Sequence, residues 1–105
     1  MHHQMEFRVL GPLEIVSDGR PVKVDAPKQR ALLAALLIHA NEVVSTDRLL
    51  ELVWGEEQPS GGLRTLRFHI SKLRDALEPE RDPGEESVIV TRSPGYVIEV
   101  APARL

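Results

Sequence analysis

The segment between Leu63 and Arg74 carries the residue types that could do chemistry in this chain, and they suit contact with phosphates and base edges. It holds four cations and no carboxylate. Arg and Lys side chains neutralise phosphates and donate to guanine, and an apolar side chain can contact a thymine methyl. This combination favours nucleic-acid binding over catalysis.

A helix predicted over Gly62 to Leu77 must position these residues. At helical period its apolar side chains form one stripe, made of Leu66, Ile70, Leu73 and Leu77, with Leu63 beside it. The opposite face carries Arg64, Arg67, Phe68, Ser71 and Lys72, with Thr65, His69 and Arg74 at its margins. A solvated face normally mixes charge signs and exposes no central phenylalanine, and this face suits insertion into a DNA groove. A chance excess of Arg on a solvated face remains the alternative.

The charge of the chain is unevenly distributed. The net charge of −3 argues at first against a nucleic-acid partner. However, the cations concentrate between Leu63 and Arg74, whereas Glu42 to Glu57 and Asp75 to Glu86 are acidic. Phosphate affinity depends on the local potential within about 10 Å, so the acidic total does not exclude DNA.

Composition excludes several other classes of protein. The 105 residues allow one domain, and the absence of cysteine excludes disulfides and thiolate metal sites. The longest apolar run, Ala31 to Ile38, is too short to span a bilayer, and no signal peptide is evident. Phosphate-loop, zinc-protease and nucleophile-turn motifs are missing. We therefore expect a cytoplasmic protein that is not an enzyme and has no metal, cofactor or membrane partner.

The N-terminal part is predicted to form an antiparallel sheet followed by two helices. Strand-like alternation runs from Glu6 to Val24, with Phe7, Val9, Leu13 and Ile15 on one side, a bend at Gly11-Pro12 and a hairpin turn at Asp18-Gly19. Pro27 opens an apolar helix that should be the buried centre, and Asn41 is a left-handed cap at its end. Ser45 caps the next helix, and Gly55 ends it.

A hairpin is predicted at the C-terminal end, over Ser87 to Val100. Its Pro94-Gly95 tip predicts a type II turn with positive φ at Gly95, and Arg92 lies just before this tip.

Together these elements predict an α+β winged helix-turn-helix with an N-terminal antiparallel sheet, three helices and a C-terminal β-hairpin wing. The domain is predicted to cover residues 6–101. Residues 1–5 are expected to be a disordered N terminus or a cloning remnant, and residues 102–105 a tail or the start of a linker. In this fold the last helix enters the major groove, and the wing reaches the neighbouring minor groove or backbone.

The motifs that carry a family resemblance run through nearly the whole chain: Pro27 to Leu33, Glu42 to Ser45, Leu49 to Gly55, Arg64-Thr65-Leu66, His69-Ile70, Leu73 to Leu77 and Gly95-Tyr96-Val97. They resemble the OmpR/PhoB-type winged-helix DNA-binding domain. The segment from Phe7 to Leu13 is most similar to the branch of streptomycete antibiotic regulatory proteins (SARPs), which are transcription activators.

The resemblance implies activators that bind direct repeats in DNA as side-by-side protomers and recruit RNA polymerase. It implies base contacts by Arg67, Phe68 and Lys72, and phosphate contacts by Arg64, Thr65, His69, Ser71, Arg74, Trp54 and Tyr96. It further implies a minor-groove contact by Arg92 in the wing and RNA polymerase contacts by the loop that holds Glu56 and Glu57. Because this loop is acidic, we expect it to meet a basic patch on the sigma subunit. Ser71 and Phe68 depart from the residues usual in the family, which leaves the operator open.

Several alternatives stay open on the residues alone. Phe68 could pack against another domain, and Trp54 and Tyr96 are each divided between core packing and phosphate contact. Glu56 and Glu57 could simply be part of a solvated loop. The runner-up function is a protein-interaction module that uses the basic face for an acidic partner. An RNA-binding function is weaker, because the narrow major groove of A-form RNA excludes a helix.

Overall fold

The computed structural model describes residues 5–8, 14–17, 20–82 and 84–100. Within these ranges the elements follow the predicted order, and the α+β winged-helix architecture is confirmed. They are β1 (Met5–Arg8), β2 (Glu14–Ser17), β3 (Arg20–Val22), α1 (Pro27–Ile38), β4 (Val44–Ser45), α2 (Thr46–Trp54), α3 (Gly62–Leu77), β5 (Ile89–Arg92) and β6 (Gly95–Ile98).

The N-terminal sheet is antiparallel in the order β1-β2-β3, as predicted. Ile15 is paired with Phe7 on one side and with Val22 on the other. β1 begins at Met5, one residue before the predicted strand, so Met5 belongs to the sheet and not to the segment assigned to residues 1–5. Residues 1–4, Val9, the bend at Gly11-Pro12, Leu13, the turn at Asp18-Gly19 and residues 101–105 lie outside the described residues.

Helix α1 is the buried centre of the domain. It starts at Pro27, whose missing N–H costs nothing in the first turn. Leu32, Leu33 and Leu36 are fully buried, although Ile38 at the last turn is 78% exposed. The leucines therefore form the centre of a core that α2, α3 and β6 complete.

Asn41 does more than the predicted cap. Its φ of 66° is left-handed as expected, but the helix has already ended at Ile38. The Asn41 side-chain amide donates to the Val100 carbonyl at 2.8 Å, and its oxygen accepts from the Val100 N–H at 2.9 Å. Asn41 therefore ties the end of α1 to the segment that follows β6.

Helices α2 and α3 begin and end for local reasons. The Ser45 hydroxyl accepts from the Arg48 N–H at 3.1 Å, and Gly55 ends α2 with positive φ. Helix α3 has the predicted bounds, and its stripe of Leu66, Ile70, Leu73 and Leu77 is at most 1% exposed. Each of these side chains contributes about 1.5–3 kcal/mol by leaving water, which fixes the rotation of α3 about its axis.

The wing differs from the prediction at its turn. The second sheet has the order β4-β6-β5, with Arg92 opposite Gly95. The turn is therefore Ser93 and Pro94, joined by a cis peptide bond, and positive φ occurs at Gly55, Gly61 and Gly84 but not at Gly95. The predicted type II turn is wrong.

Gly95 is required for another reason, the close approach of β4. A Cβ atom at Gly95 would overlap the carbonyl oxygen of Val44 and lie 2.8 Å from the Cα of Ser45. The glycine lets β6 pass β4, which connects the wing to the start of α2.

Candidate nucleic-acid interface

The outward face of α3 is not covered by any of the described elements. Arg64, Arg67, Ser71 and Lys72 are exposed, and the Phe68 side chain is 55% exposed. None of these three cations forms a salt bridge with another described residue. The face predicted for a ligand is therefore accessible along its length, which is the arrangement that groove insertion requires.

An aromatic band, made of Trp54, His69 and Phe68, crosses from α2 to this face of α3. The His69 ring centroid lies 5.5 Å from that of Trp54 and 5.3 Å from that of Phe68. An ammonium group lies at each end: Lys28 Nζ is 5.6 Å from the Trp54 ring centroid, and Lys72 Nζ is 5.7 Å from that of Phe68. The band thus joins all three helices into one cationic surface.

His69 is the half-buried centre of the band. Its Nδ1 lies 3.2 Å from the side-chain nitrogen of Gln29 on α1. Partial burial, and next the charge of Lys28, hold the pKa of His69 below its ordinary value of 6.5. At neutral pH the ring is therefore uncharged and can act only as a hydrogen-bond donor or acceptor.

Arg74 is the cation of α3 that the structure uses internally. Its Nε and Nη2 donate to the Ile89 carbonyl at 2.9 and 2.7 Å, and Nη2 also donates to the Thr91 hydroxyl at 3.0 Å. The guanidinium carbon is 5.9 Å from the Tyr96 ring centroid. Burial is the main cause that lowers the pKa of Arg74. Arg74 therefore holds the wing against α3, a role that the sequence did not reveal.

The remaining predicted contacts divide between surface and core. Arg92 is exposed at the end of β5, beside the turn. Tyr96 is only 6% exposed and belongs to the core, whereas Trp54 and Thr65 are half-buried. Glu56 and Glu57 are exposed in the connection between α2 and α3. The structure thus brings the α3 residues and Trp54 together. The Glu57 N–H donates to the Trp54 carbonyl at 3.1 Å, and Arg92 lines the same cleft as Arg74.

Glu78 is a further residue whose role the sequence did not reveal. It lies in the acidic stretch from Asp75 to Glu86, yet it is buried and its carboxylate accepts from the Ser87 hydroxyl and the Val88 N–H. It follows the last residue of α3 and anchors the connection to β5. A glutamate at a helix end gives no local signal for such a long-range contact.

A cleft of about 300 Å³ lies between the wing and the connection after α3. Its charged lining residues have both signs, namely Arg74, Arg81, Arg92, Glu85, Glu86 and Glu99. This mixture does not favour an anion there. Across residues 5–8, 14–17, 20–82 and 84–100 no cluster of metal-ligating side chains occurs. In the same ranges, no helix has the length and apolar character to cross a membrane.

Comparison with known sequences gives one family and several curated relatives. The family described as "Transcriptional regulatory protein, C terminal" matches residues 19–98. The regulatory protein AfsR of Streptomyces coelicolor is 38% identical over 94 residues, which are 90% of this chain and 9% of AfsR. The transcriptional regulatory protein EmbR of Mycobacterium tuberculosis is 38% identical over 98 residues, 92% of this chain and 25% of EmbR. The chain therefore spans a quarter or less of these two relatives.

Solved structures resemble the fold along most of the chain. EmbR of Mycobacterium tuberculosis, solved in complex with a low-affinity phosphopeptide, superposes with a TM-score of 0.84 at 36% identity, covering 98% of this chain and 27% of EmbR. The RstA DNA-binding domain of Klebsiella pneumoniae, solved in complex with the RstA box, has a TM-score of 0.67 at 26% identity and covers 82% of both chains.

Proposed function

The chain belongs to the family of OmpR/PhoB-type DNA-binding domains of transcriptional regulators, and on this premise we propose that α3 enters the major groove of double-stranded DNA. Its relatives AfsR and EmbR are regulators of the SARP type, as the sequence resemblance predicted, and the family consists of DNA-binding domains rather than enzymes. The observation that carries the proposal is the unobstructed cationic face of α3 with Phe68 exposed at its centre.

Base reading is assigned to Arg67, Phe68 and Lys72. All three are exposed: Arg67 and Phe68 are adjacent, and Lys72 lies about one turn after Phe68 on the same face, where a groove-bound helix presents its side chains to base edges. Arg or Lys donates to guanine, and the Phe68 ring contacts thymine methyls. Lys72 lies close enough to the Phe68 ring for the two side chains to act as one surface.

Phosphate contacts are assigned around this centre. Arg64 and Ser71 are exposed, and Thr65, His69 and Trp54 are half-buried at the border of the face, where the DNA backbone would pass. Arg74 already donates to the wing, and Tyr96 is buried in the core. A phosphate contact by either residue therefore uses only those side-chain atoms that remain exposed.

The wing and the symmetry of binding complete the proposal. Arg92, exposed beside the turn of the hairpin, enters the minor groove next to the major groove that holds α3. Each protomer presents one helix and one wing in a fixed direction. Protomers placed side by side on DNA therefore read direct repeats.

Selection of duplexes from a random pool with this chain tests the proposal, followed by anisotropy titrations on a selected and a scrambled duplex. Arg67→Ala and Lys72→Ala should each lose about 1–3 kcal/mol on the selected duplex and less on the scrambled one. Arg48→Ala is the matched control, because Arg48 is exposed but paired with Glu51. Absence of binding to either duplex would favour the protein-interaction module instead, and equal affinity of the unaltered chain for both would contradict sequence-specific recognition. Equal losses on both duplexes would remove the base-reading assignment.

We also propose that Glu56 and Glu57 contact RNA polymerase through a basic patch of its sigma subunit. Both carboxylates are exposed in the connection between α2 and α3. Polymerase holoenzyme should retard the chain–duplex complex further in a gel, and Glu56→Lys with Glu57→Lys should abolish this shift without changing DNA affinity. Glu80→Lys with Glu86→Lys carries the same charge change and should leave the shift intact. If polymerase still retards the complex after Glu56 and Glu57 have both been changed to lysine, the proposed polymerase contact is contradicted.

A further inference from the structure

We propose that Lys28 and Gln29 of α1, together with His69 and Trp54, form a separate subsite for one backbone phosphodiester of DNA. This inference rests on the proposed DNA binding and deepens it. It adds the first helix, which the sequence pattern treated only as core, to the binding surface.

Lys28 supplies the charge of the subsite. Its ammonium group lies 5.6 Å from the Trp54 ring centroid and 3.3 Å from the Val53 carbonyl oxygen, so the side chain is directed from α1 towards the end of α2. That position is at the opposite end of the aromatic band from Lys72. The ammonium group therefore borders the same continuous surface as the groove-facing centre of α3, with Trp54 and His69 between it and Phe68.

Gln29 determines which ring nitrogen of His69 carries the proton and can donate to a phosphate. With its side-chain nitrogen 3.2 Å from His69 Nδ1, the amide donates and Nδ1 accepts, so the proton of the neutral ring is on Nε2. A neutral His69 that presents an N–H can donate to a phosphate oxygen. Gln29 is therefore a positioning residue that acts through His69, and it contacts no ligand itself.

The chemistry of the cluster suits a phosphodiester. It combines one ammonium charge with neutral N–H donors from His69 and the Trp54 indole, which matches a ligand of single negative charge with several acceptor oxygens. No described carboxylate forms a salt bridge with Lys28. The band is also continuous, through Phe68, with the face of α3 proposed to lie in the major groove, and the phosphates bordering that groove are the nearest anions.

The other role open to Lys28 is structural. The Val53 carbonyl lies in the last turn of α2, where a cation stabilises the helix end. A structural lysine changes the free energy of unfolding and leaves the salt dependence of DNA binding unaltered. The two roles are therefore separable by experiment.

Lys28→Met tests the charge. Anisotropy titrations over a range of salt, on the duplex selected from the random pool and on a scrambled duplex, should show a slope of log affinity against log salt that is shallower by about 0.9. In low salt the affinity should fall roughly tenfold and equally for both duplexes. Lys28→Arg should keep the slope. Lys23→Met, which removes an exposed lysine outside the band, is the matched control.

Gln29→Met tests the positioning role in a double-mutant cycle with His69→Phe. Because Gln29 acts through His69, its substitution should weaken binding severalfold in the normal chain and add nothing when His69 is absent. Additive losses would overturn the positioning role, since they would mean that Gln29 acts on stability or on DNA directly.

The outcomes separate the subsite from the function it rests on. If the unaltered chain prefers no duplex, the proposed function fails. If the unaltered chain does prefer the selected duplex, but Lys28→Met and Lys23→Met show the same slope of log affinity against log salt, the subsite is contradicted and the proposed function stands.

Discussion

The two ends of α3 use the same residue type for different purposes. On the outward face Arg64 and Arg67 remain exposed to solvent. Two turns later Arg74 places its guanidinium against the Ile89 carbonyl and the Thr91 hydroxyl of the wing. The difference lies in the neighbours: β5 is at the edge of the sheet β4-β6-β5, and its outer carbonyls need a donor that no other described strand supplies.

This comparison shows that a cation counted from sequence is not a cation available to a ligand. The positive charge of α3 includes Arg74, but much of that charge is already engaged with β5. Loss of an exposed arginine should therefore change binding, whereas loss of Arg74 should change stability first. Four predictions test this division, beginning with the largest effect.

Gly95→Ala should disrupt the wing, against which Arg74 is held. The added Cβ meets the backbone of Val44 and Ser45, which cannot move as a side chain would, so the free energy of unfolding should fall by about 3 kcal/mol. Urea denaturation measures this loss. Gly62→Ala on α3 is the control, because its Cβ meets only the flexible side chain of Leu50 at 3.3 Å. A small, equal effect of both changes would contradict the close-approach explanation.

Arg74→Met should lower the free energy of unfolding by about 1.5–3 kcal/mol, because the Ile89 carbonyl loses its charged donor. Arg67→Met, on the exposed face, should stay within about 0.5 kcal/mol of the unaltered chain. Denaturant titrations of the two variants side by side decide this. Similar values would remove the distinction between the two ends of the helix.

Phe68 tests whether the outward face of α3 serves binding rather than stability. Because the ring is exposed, Phe68→Ala should leave stability nearly unchanged. Replacement of a contacted thymine by uracil in the selected duplex should weaken the unaltered chain by about 0.8 kcal/mol, the value of one methyl group. The same replacement should not affect Phe68→Ala. Leu52→Ala, an exposed apolar residue on α2, should behave like the unaltered chain. A methyl effect that persists without Phe68 would assign the thymine contact elsewhere.

His69, at the border between face and core, gives the smallest effect. Its pKa in the folded chain is below the ordinary 6.5, because of burial first and Lys28 second. Below that value the unfolded chain binds more protons, so this contribution to stability is complete above roughly pH 6.5 and is lost as the pH falls towards the folded pKa. NMR titration of the ring protons measures the pKa, and Lys28→Met should move it upwards. A pKa of His69 at or above the ordinary value would contradict this account.

Local signals were sufficient for most of the framework. The bounds of α3 follow from the helical spacing of Leu66, Ile70, Leu73 and Leu77, and its rotation follows from the burial of that stripe. Pro27 and Ser45 act on the backbone within one turn of themselves, so the starts of α1 and α2 could be predicted. The exposure of Phe68 is a consequence of the same periodicity.

The contacts that were missed join distant parts of the chain. Lys28 reaches Trp54, Gln29 reaches His69, and Arg74 reaches Ile89. In each case the residue gives no local sign of its partner, because lysine, glutamine and arginine are also common on solvated helix faces that contact nothing. The predicted turn of the wing is wrong for the same reason. A glycine is required at position 95 by the close approach of β4, not by the conformation of the turn.

The amino-acid sequence by itself determined the order of elements, the faces of the helices and the concentration of cations on α3, because hydrophobic periodicity and capping act over a few residues. Only the tertiary structure decided which cations stay free, since that depends on which backbone carbonyls and rings the packed elements bring within hydrogen-bonding distance. Arg67 and Arg74 belong to one helix, and the wing packed beside Arg74 is what separates their roles.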